Sequence, residues 1–216
     1  MKSVKILLYL LLISILVFTV NCQKKMSLQS IKVGSVSKFA CTAEKSGSMF
    51  GLDDSVGSFS LEVTILPWRD LNGQKVLVYK QDMDGKVSFT FMAEDSEGIY
   101  TYAEQGPTDA EPILVPGKRY DIKYPIKVGN SWNYSNDKGE NITSSIVAEE
   151  EVTVPAGNFK CLKIETVGKY NMDGQLANIK GLEWIVLNGD SIKSYIEWND
   201  GTITYKITSQ LSSKEN

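Results

Sequence analysis

The feature that most constrains this chain is its punctuation. Short runs of alternating apolar and polar residues are cut off repeatedly by two-residue turn signals. Phe59-Ser60-Leu61-Glu62-Val63-Thr64-Ile65 puts Phe59, Leu61, Val63 and Ile65 on one face of a strand. Asn72-Gly73, Asp84-Gly85, Asp173-Gly174, Asn188-Gly189 and Asp200-Gly201 lie beside such runs, and these dipeptides suit the left-handed backbone of tight hairpins. Val87 to Phe91, Gly98 to Tyr102, Leu182 to Leu187 and Thr202 to Ile207 read as further strands, with brief ones at Ile31 to Gly34 and Lys38 to Thr42. Val76-Leu77-Val78-Tyr79 is a continuous apolar run, suited to a strand covered on both faces. No segment beyond Cys22 shows helical periodicity of useful length. The expected fold class is therefore all-β: mostly antiparallel sheets built from hairpins, as a sandwich or a half-open barrel.

The N-terminus follows different rules. Lys2 and Lys5 precede an apolar run from Ile6 to Val20. As a helix that run spans roughly 22 Å at about 1.5 Å per residue, short of the ~30 Å hydrocarbon core of a bilayer. A basic start, a short apolar run and an adjacent cysteine read as an export signal. Thr19-Val20-Asn21-Cys22 resembles a bacterial lipobox, although Asn21 stands where Gly, Ala or Ser is usual. The expectation is a lipoprotein signal peptide over 1–21 and a lipid anchor on Cys22. The alternative is an ordinary signal cut elsewhere, with Cys22 a free thiol. Gln23, in place of an aspartate, favours the outer membrane if the enteric sorting rule applies.

From Cys22 onward 195 residues remain, carrying 21 basic and 26 acidic side chains. That length suffices for one substantial domain or two small packed halves. The expected order is a polar tether over 22–30, a first β module over 31–104, a linker over 105–120 with Pro107, Pro112 and Pro116, a second module over 121–208, and a polar tail over 209–216. Three short matches suggest that the modules are related: Ile31-Lys32-Val33-Gly34 with Ile126-Lys127-Val128-Gly129, Val63-Thr64-Ile65 with Val152-Thr153-Val154, and Met83-Asp84-Gly85 with Met172-Asp173-Gly174. Strands and turns use few letters, so chance is the rival account.

Several chemistries are poorly supplied. The chain has no histidine, which removes the commonest general base and the usual zinc ligands. There is no basic stripe for nucleic acid. Asp53, Asp54, Asp109, Glu111 and Glu149-Glu150-Glu151 are the carboxylates of note, and solvated loop charge explains them better than paired acid–base work. Asp82-Met83-Asp84-Gly85 starts like a calcium loop, but the twelfth position is Ala93. No metal, cofactor or catalytic residue is expected. Cys41 and Cys161 could form a disulfide in an oxidising compartment, or be two separate buried thiols; spacing does not decide. Trp68, Trp132, Trp184 and Trp198 suit core packing better than an aromatic-lined ligand cleft.

One stretch carries a family likeness. Tyr124-Pro125-Ile126-Lys127-Val128-Gly129-Asn130-Ser131-Trp132, then Val152-Thr153-Val154-Pro155-Ala156-Gly157-Asn158-Phe159-Lys160-Cys161, then Leu182-Glu183-Trp184-Ile185 running into Ile192-Lys193, resembles the TapB-type family of exported bacterial proteins over about residues 120–198. Where relatives have a Gly-Leu-Val-Lys-like run, this chain has Asn188 to Lys193. The resemblance implies an all-β envelope lipoprotein without established catalytic residues. Pro155 should stop a strand, Gly157 should permit the turn, and Phe159 should re-enter the core. The function expected is a lipid-anchored, non-catalytic binding or scaffolding module of the cell envelope, with the membrane and an unknown protein or apolar ligand as partners. The alternative is a carrier of lipid or another apolar ligand in a cavity of a curved sheet.

Overall fold

The computed structural model describes residues 26–46, 55–172, 175–187 and 189–215. Among them lie one turn of 3-10 helix, Leu28–Ser30, and twelve strands: β1 (Val36–Ser46), β2 (Ser55–Leu71), β3 (Gln74–Met83), β4 (Lys86–Glu94), β5 (Gly98–Gln105), β6 (Ile113–Lys123), β7 (Ser131–Ser135), β8 (Asn141–Val154), β9 (Gly157–Met172), β10 (Gln175–Ile185), β11 (Ser191–Asn199) and β12 (Thr204–Glu215). All pair antiparallel in one sheet, ordered β6-β5-β4-β3-β2-β1-β12-β11-β10-β9-β8-β7. The all-β hairpin expectation is met, and of the two architectures the barrel is the one formed. The turn chemistry sets the local register. Asn72 and Gly73 both have positive φ (54° and 79°), as do Asp84 and Gly85 (49° and 85°), the conformation a two-residue hairpin needs.

The sheet is two six-stranded meanders. They join through a β1–β12 ladder running from Val36↔Glu215 to Ser46↔Thr204, with one bulge at Ser212. At the other join, β6 and β7 face each other without a ladder. β6 carries two register shifts and Pro116, which has no N–H to offer. Side chains bridge the seam instead: the Trp132 indole donates to the Tyr120 carbonyl (2.8 Å) and the Tyr134 hydroxyl to the Pro116 carbonyl (3.2 Å). The barrel is therefore nearly closed rather than closed.

Each meander is entered through the same backbone device. Gly34 N–H donates to the Ile65 carbonyl and Ile65 N–H to the Ser35 carbonyl; Gly129 N–H donates to the Ile146 carbonyl and Ile146 N–H to the Asn130 carbonyl. The partner of Ile65 in this device is Ile146. The match of Val63–Ile65 to Val152–Val154 is thus not a structural equivalence.

Several segment assignments change. The 105–120 stretch is no linker, because Ile113–Lys123 is edge strand β6; the meanders connect through residues 124–130. The 209–216 tail is ordered through Glu215, since β1 gives it a full ladder and Ser209 and Leu211 are buried. Ile31 to Gly34 and Ile126 to Gly129 are turns rather than strands. The tether over 22–30 does not stay outside: Met26 and Leu28, both 1% exposed, and Ile31 pack into the interior. The two-sided cover expected for Val76-Leu77-Val78 is present, at 0%, 0% and 2% exposure. Leu77 faces the barrel interior with Ile65 and Ile99. Val76 and Val78 join Phe91 and Tyr100 on the opposite face, where Arg69 and Lys118 lie over the rings of Phe91 and Tyr100.

Candidate functional site

The barrel encloses a cavity of about 540 Å³, within the range of small-molecule sites. Its wall follows from strand geometry. Side chains two apart share a face, so each strand can be read as rungs rising from one end. The lowest rung is apolar: Ile65, Leu77, Ile99, Ile122, Leu162, Ile164 and Ile185 form one buried cluster with Met26, Leu28 and Ile31. The N-terminal segment closes this end. It is latched by Glu94, whose carboxylate accepts from the Ser27 hydroxyl (2.7 Å) and the Leu28 N–H (2.9 Å). The Tyr124 hydroxyl lies between the Met26 carbonyl (2.6 Å) and Glu94 (2.8 Å).

One rung higher the lining turns polar. Leu77 is followed by Tyr79, Ile99 by Thr101, and Ile185 by Glu183. On β6 the step is irregular. Ile99 opposes Ile122 and Tyr100 opposes Tyr120, so Asp121 is the extra residue of a bulge. Bulges re-aim side chains, and this one points Asp121 inward, where the Thr101 hydroxyl donates to it at 2.8 Å. The close β5–β6 approach that permits this depends on Gly98: a Cβ there would stand 2.1 Å from the Ile122 carbonyl oxygen. Glu183 faces inward because its neighbour Trp184 faces out, under Lys163 and Lys193, with its indole donating to Glu150 (2.5 Å).

Arg119, also lining the cavity, is already engaged. It donates to Glu104 (2.5 Å) and to the Tyr170 hydroxyl (3.2 Å). Asp190 pairs with Lys214. Asp121 and Glu183 have no ion-pair partner among the described residues. Both expose a third or more of their surface to the cavity, while the barrel wall crowds them on the other sides. Burial pushes the Asp121 carboxyl above the usual range, against the pull of Arg119 and the Thr101 hydroxyl. Burial raises Glu183 too, opposed by a hydrogen bond from Ser191 and reinforced by Asp121. Across the lumen, burial and then Asp190, Asp121 and Glu183 push Tyr79 upward. Its hydroxyl makes no hydrogen bond among the described residues.

The residues singled out from sequence lie elsewhere. Cys22 and the 1–21 signal segment fall outside the described residues, as do Asp53 and Asp54. Cys41 and Cys161 are free thiols, buried in one apolar cluster with Val152, Val154, Trp184 and Leu211. Burial raises both, with Asp84 adding at Cys41 and Glu150 at Cys161. Asp109 closes its own turn by accepting from Gly106 N–H (2.7 Å), and Glu149 pairs with Lys160 on the surface. Gly157 does start β9, with φ 135°. Phe159, however, is only half-buried at the rim of the cysteine cluster, because the hairpin tip lies over β12, where Ala156 N–H reaches the Leu211 carbonyl. Among the described residues no cluster of His, Cys, Asp and Glu could hold a metal ion. Sequence reading missed Asp121 and Glu183. An alternating strand does not say which face is inside, and a bulge has no signature of its own.

No family model matches the chain, and no curated protein matches it. Two solved structures are similar. One is an exported protein with a YmcC-like fold from Bacteroides fragilis, 15% identical over 86% of this chain and 97% of that one, with a TM-score of 0.46. The other is described as a lipoprotein from Parabacteroides distasonis, 12% identical over 85% of this chain and 96% of that one, with a TM-score of 0.38.

Proposed function

We propose that this chain is a lipid-anchored envelope protein, related to the TapB-type proteins, that binds one small amphipathic ligand in the lumen of its barrel. The observation that carries the reading is the cavity: about 540 Å³, apolar at its closed end and polar one rung above. A filled interior would have favoured a scaffold. The lipobox-like Thr19-Val20-Asn21-Cys22 supports the anchor. Only four residue steps separate Cys22 from buried Met26, at most ~14 Å of extended chain. An acyl group on Cys22 would thus hold the closed end of the barrel against the bilayer, with the charged rungs farther out.

Two tests separate the parts. Cys22→Ser should abolish lipid labelling and leave unprocessed precursor; normal labelling would remove the anchor. Native mass spectrometry of protein from its own host should find one amphiphile per chain. Gly181→Leu should lower that occupancy, because a Cβ at Gly181 meets Thr166 at an ordinary 3.5 Å and the added side chain would project into the lumen. Full occupancy in the variant would place the ligand elsewhere. A second reading rests on Asp121 and Glu183, since two carboxyls in one cavity are the minimum for acid–base hydrolysis. That chemistry needs their proton affinities driven apart. Here burial moves both the same way, so binding is placed first.

A further inference from the structure

Resting on the lumen-binding reading, we propose that the ligand carries a cationic, hydrogen-bond-donating head, an alkylammonium or guanidinium group, seated between Asp121 and Glu183, with its alkyl part on the apolar floor. The charge balance of the wall supplies the argument. Four carboxylates, Glu104, Asp121, Glu183 and Asp190, line the cavity, against two cations, Arg119 and the Lys214 that pairs with Asp190. Arg119 is taken by Glu104 and Tyr170, so the groups left without an ion pair are Asp121 and Glu183. They lie on β6 and β10 and sense each other's charge. The Tyr79 hydroxyl faces the same space as a further acceptor. An anionic head would meet two carboxylates and no free cation among the described residues. A neutral head would bring no charge to balance the two carboxylates and would displace cavity solvent from them, which is unfavourable. A cation with several N–H donors satisfies them together. Directly below, Ile65, Ile99, Ile122 and Ile185 offer a purely aliphatic seat.

The experiment titrates the lipidated protein in nanodiscs with octylammonium, octanol and octanoate, against empty nanodiscs, following intrinsic tryptophan fluorescence. The proposal expects octylammonium to bind at least tenfold more tightly than the other two. It also expects D121N/E183Q, or Glu183→Gln alone if the pair misfolds, to erase that preference while octanol affinity stays within twofold. Equal or tighter binding of octanol or octanoate overturns the cationic head and leaves the lumen reading standing. A preference that survives the substitutions overturns the assignment to these carboxyls. Binding of none of the three above the blank overturns the lumen reading and this inference with it.

Discussion

Two neighbouring layers of the same barrel are built to opposite rules. The floor around Leu77, Leu28 and Met26 is apolar throughout; its members expose 8% or less. The layer above it holds Tyr79, Thr101, Asp121 and Glu183 around open space. The same strands contribute to both, one step of two residues apart. The floor therefore stabilises, and the charged layer costs stability, since carboxylates crowded by a barrel wall without ion-pair partners are unfavourable. Such an arrangement is expected where binding rather than stability is at stake.

The contrast can be tested in descending order of effect. Leu77→Ala should cost about 2–5 kcal/mol by denaturant melt, as for other fully buried leucines; a loss under one would mean the floor is loosely packed. Glu94→Ala should cost roughly 2–3 kcal/mol, because charge-assisted hydrogen bonds to Ser27 and Leu28 vanish. In that variant, amide exchange at Leu28 to Ile31 should accelerate while the β1–β12 ladder stays protected. Equal acceleration in both would show that the latch is not local. The half-buried Phe159 should lose less than the ~3–5 kcal/mol that full burial would imply.

The smallest effects concern sign. Asp95, at the β4–β5 turn, has its carboxyl raised by burial but lowered more by Lys118, Tyr120 and the N–H groups of Glu97 and Gly98, and settles at about 2. Its folded pKa is depressed, so its contribution is present above the ordinary carboxylate range and is lost as pH falls toward 2. Asp95→Asn should cost about 1 kcal/mol at neutral pH, discounted for solvent contact, and flatten the acid limb of the stability curve. Asp121 and Glu183 are raised instead. The folded protein then holds protons that the unfolded chain has released, so stability falls as pH rises from the ordinary carboxylate range through their raised values. Asp121→Asn should therefore raise neutral-pH stability slightly, by under ~1 kcal/mol given the solvent in the cavity. A loss of stability would mean that Asp121 has a partner the lumen does not reveal.

Much of the fold was legible because local rules acted alone. Asn72-Gly73 and Asp84-Gly85 formed the tight turns their residues favour, and Phe59 to Ile65 formed part of a strand by alternation. The misreadings occurred where tertiary pairing overrode composition. Prolines in 105–120 suggested a linker, but an edge strand tolerates Pro116. Polar residues at 209–216 suggested a frayed end, but β1 supplied a ladder for them.

By itself the sequence determined strand, turn and hairpin, because these depend on residues a few positions apart. It also carries the expectation of an N-terminal signal and of an anchor on Cys22, both outside the described residues. Only the tertiary structure decided that twelve strands curl into one nearly closed barrel, that Met26 to Ile31 close its end, and that Asp121 and Glu183 share its interior. Those outcomes depend on ladder register, on a one-residue bulge and on which face Trp184 takes, and each is set by partners far away in the chain.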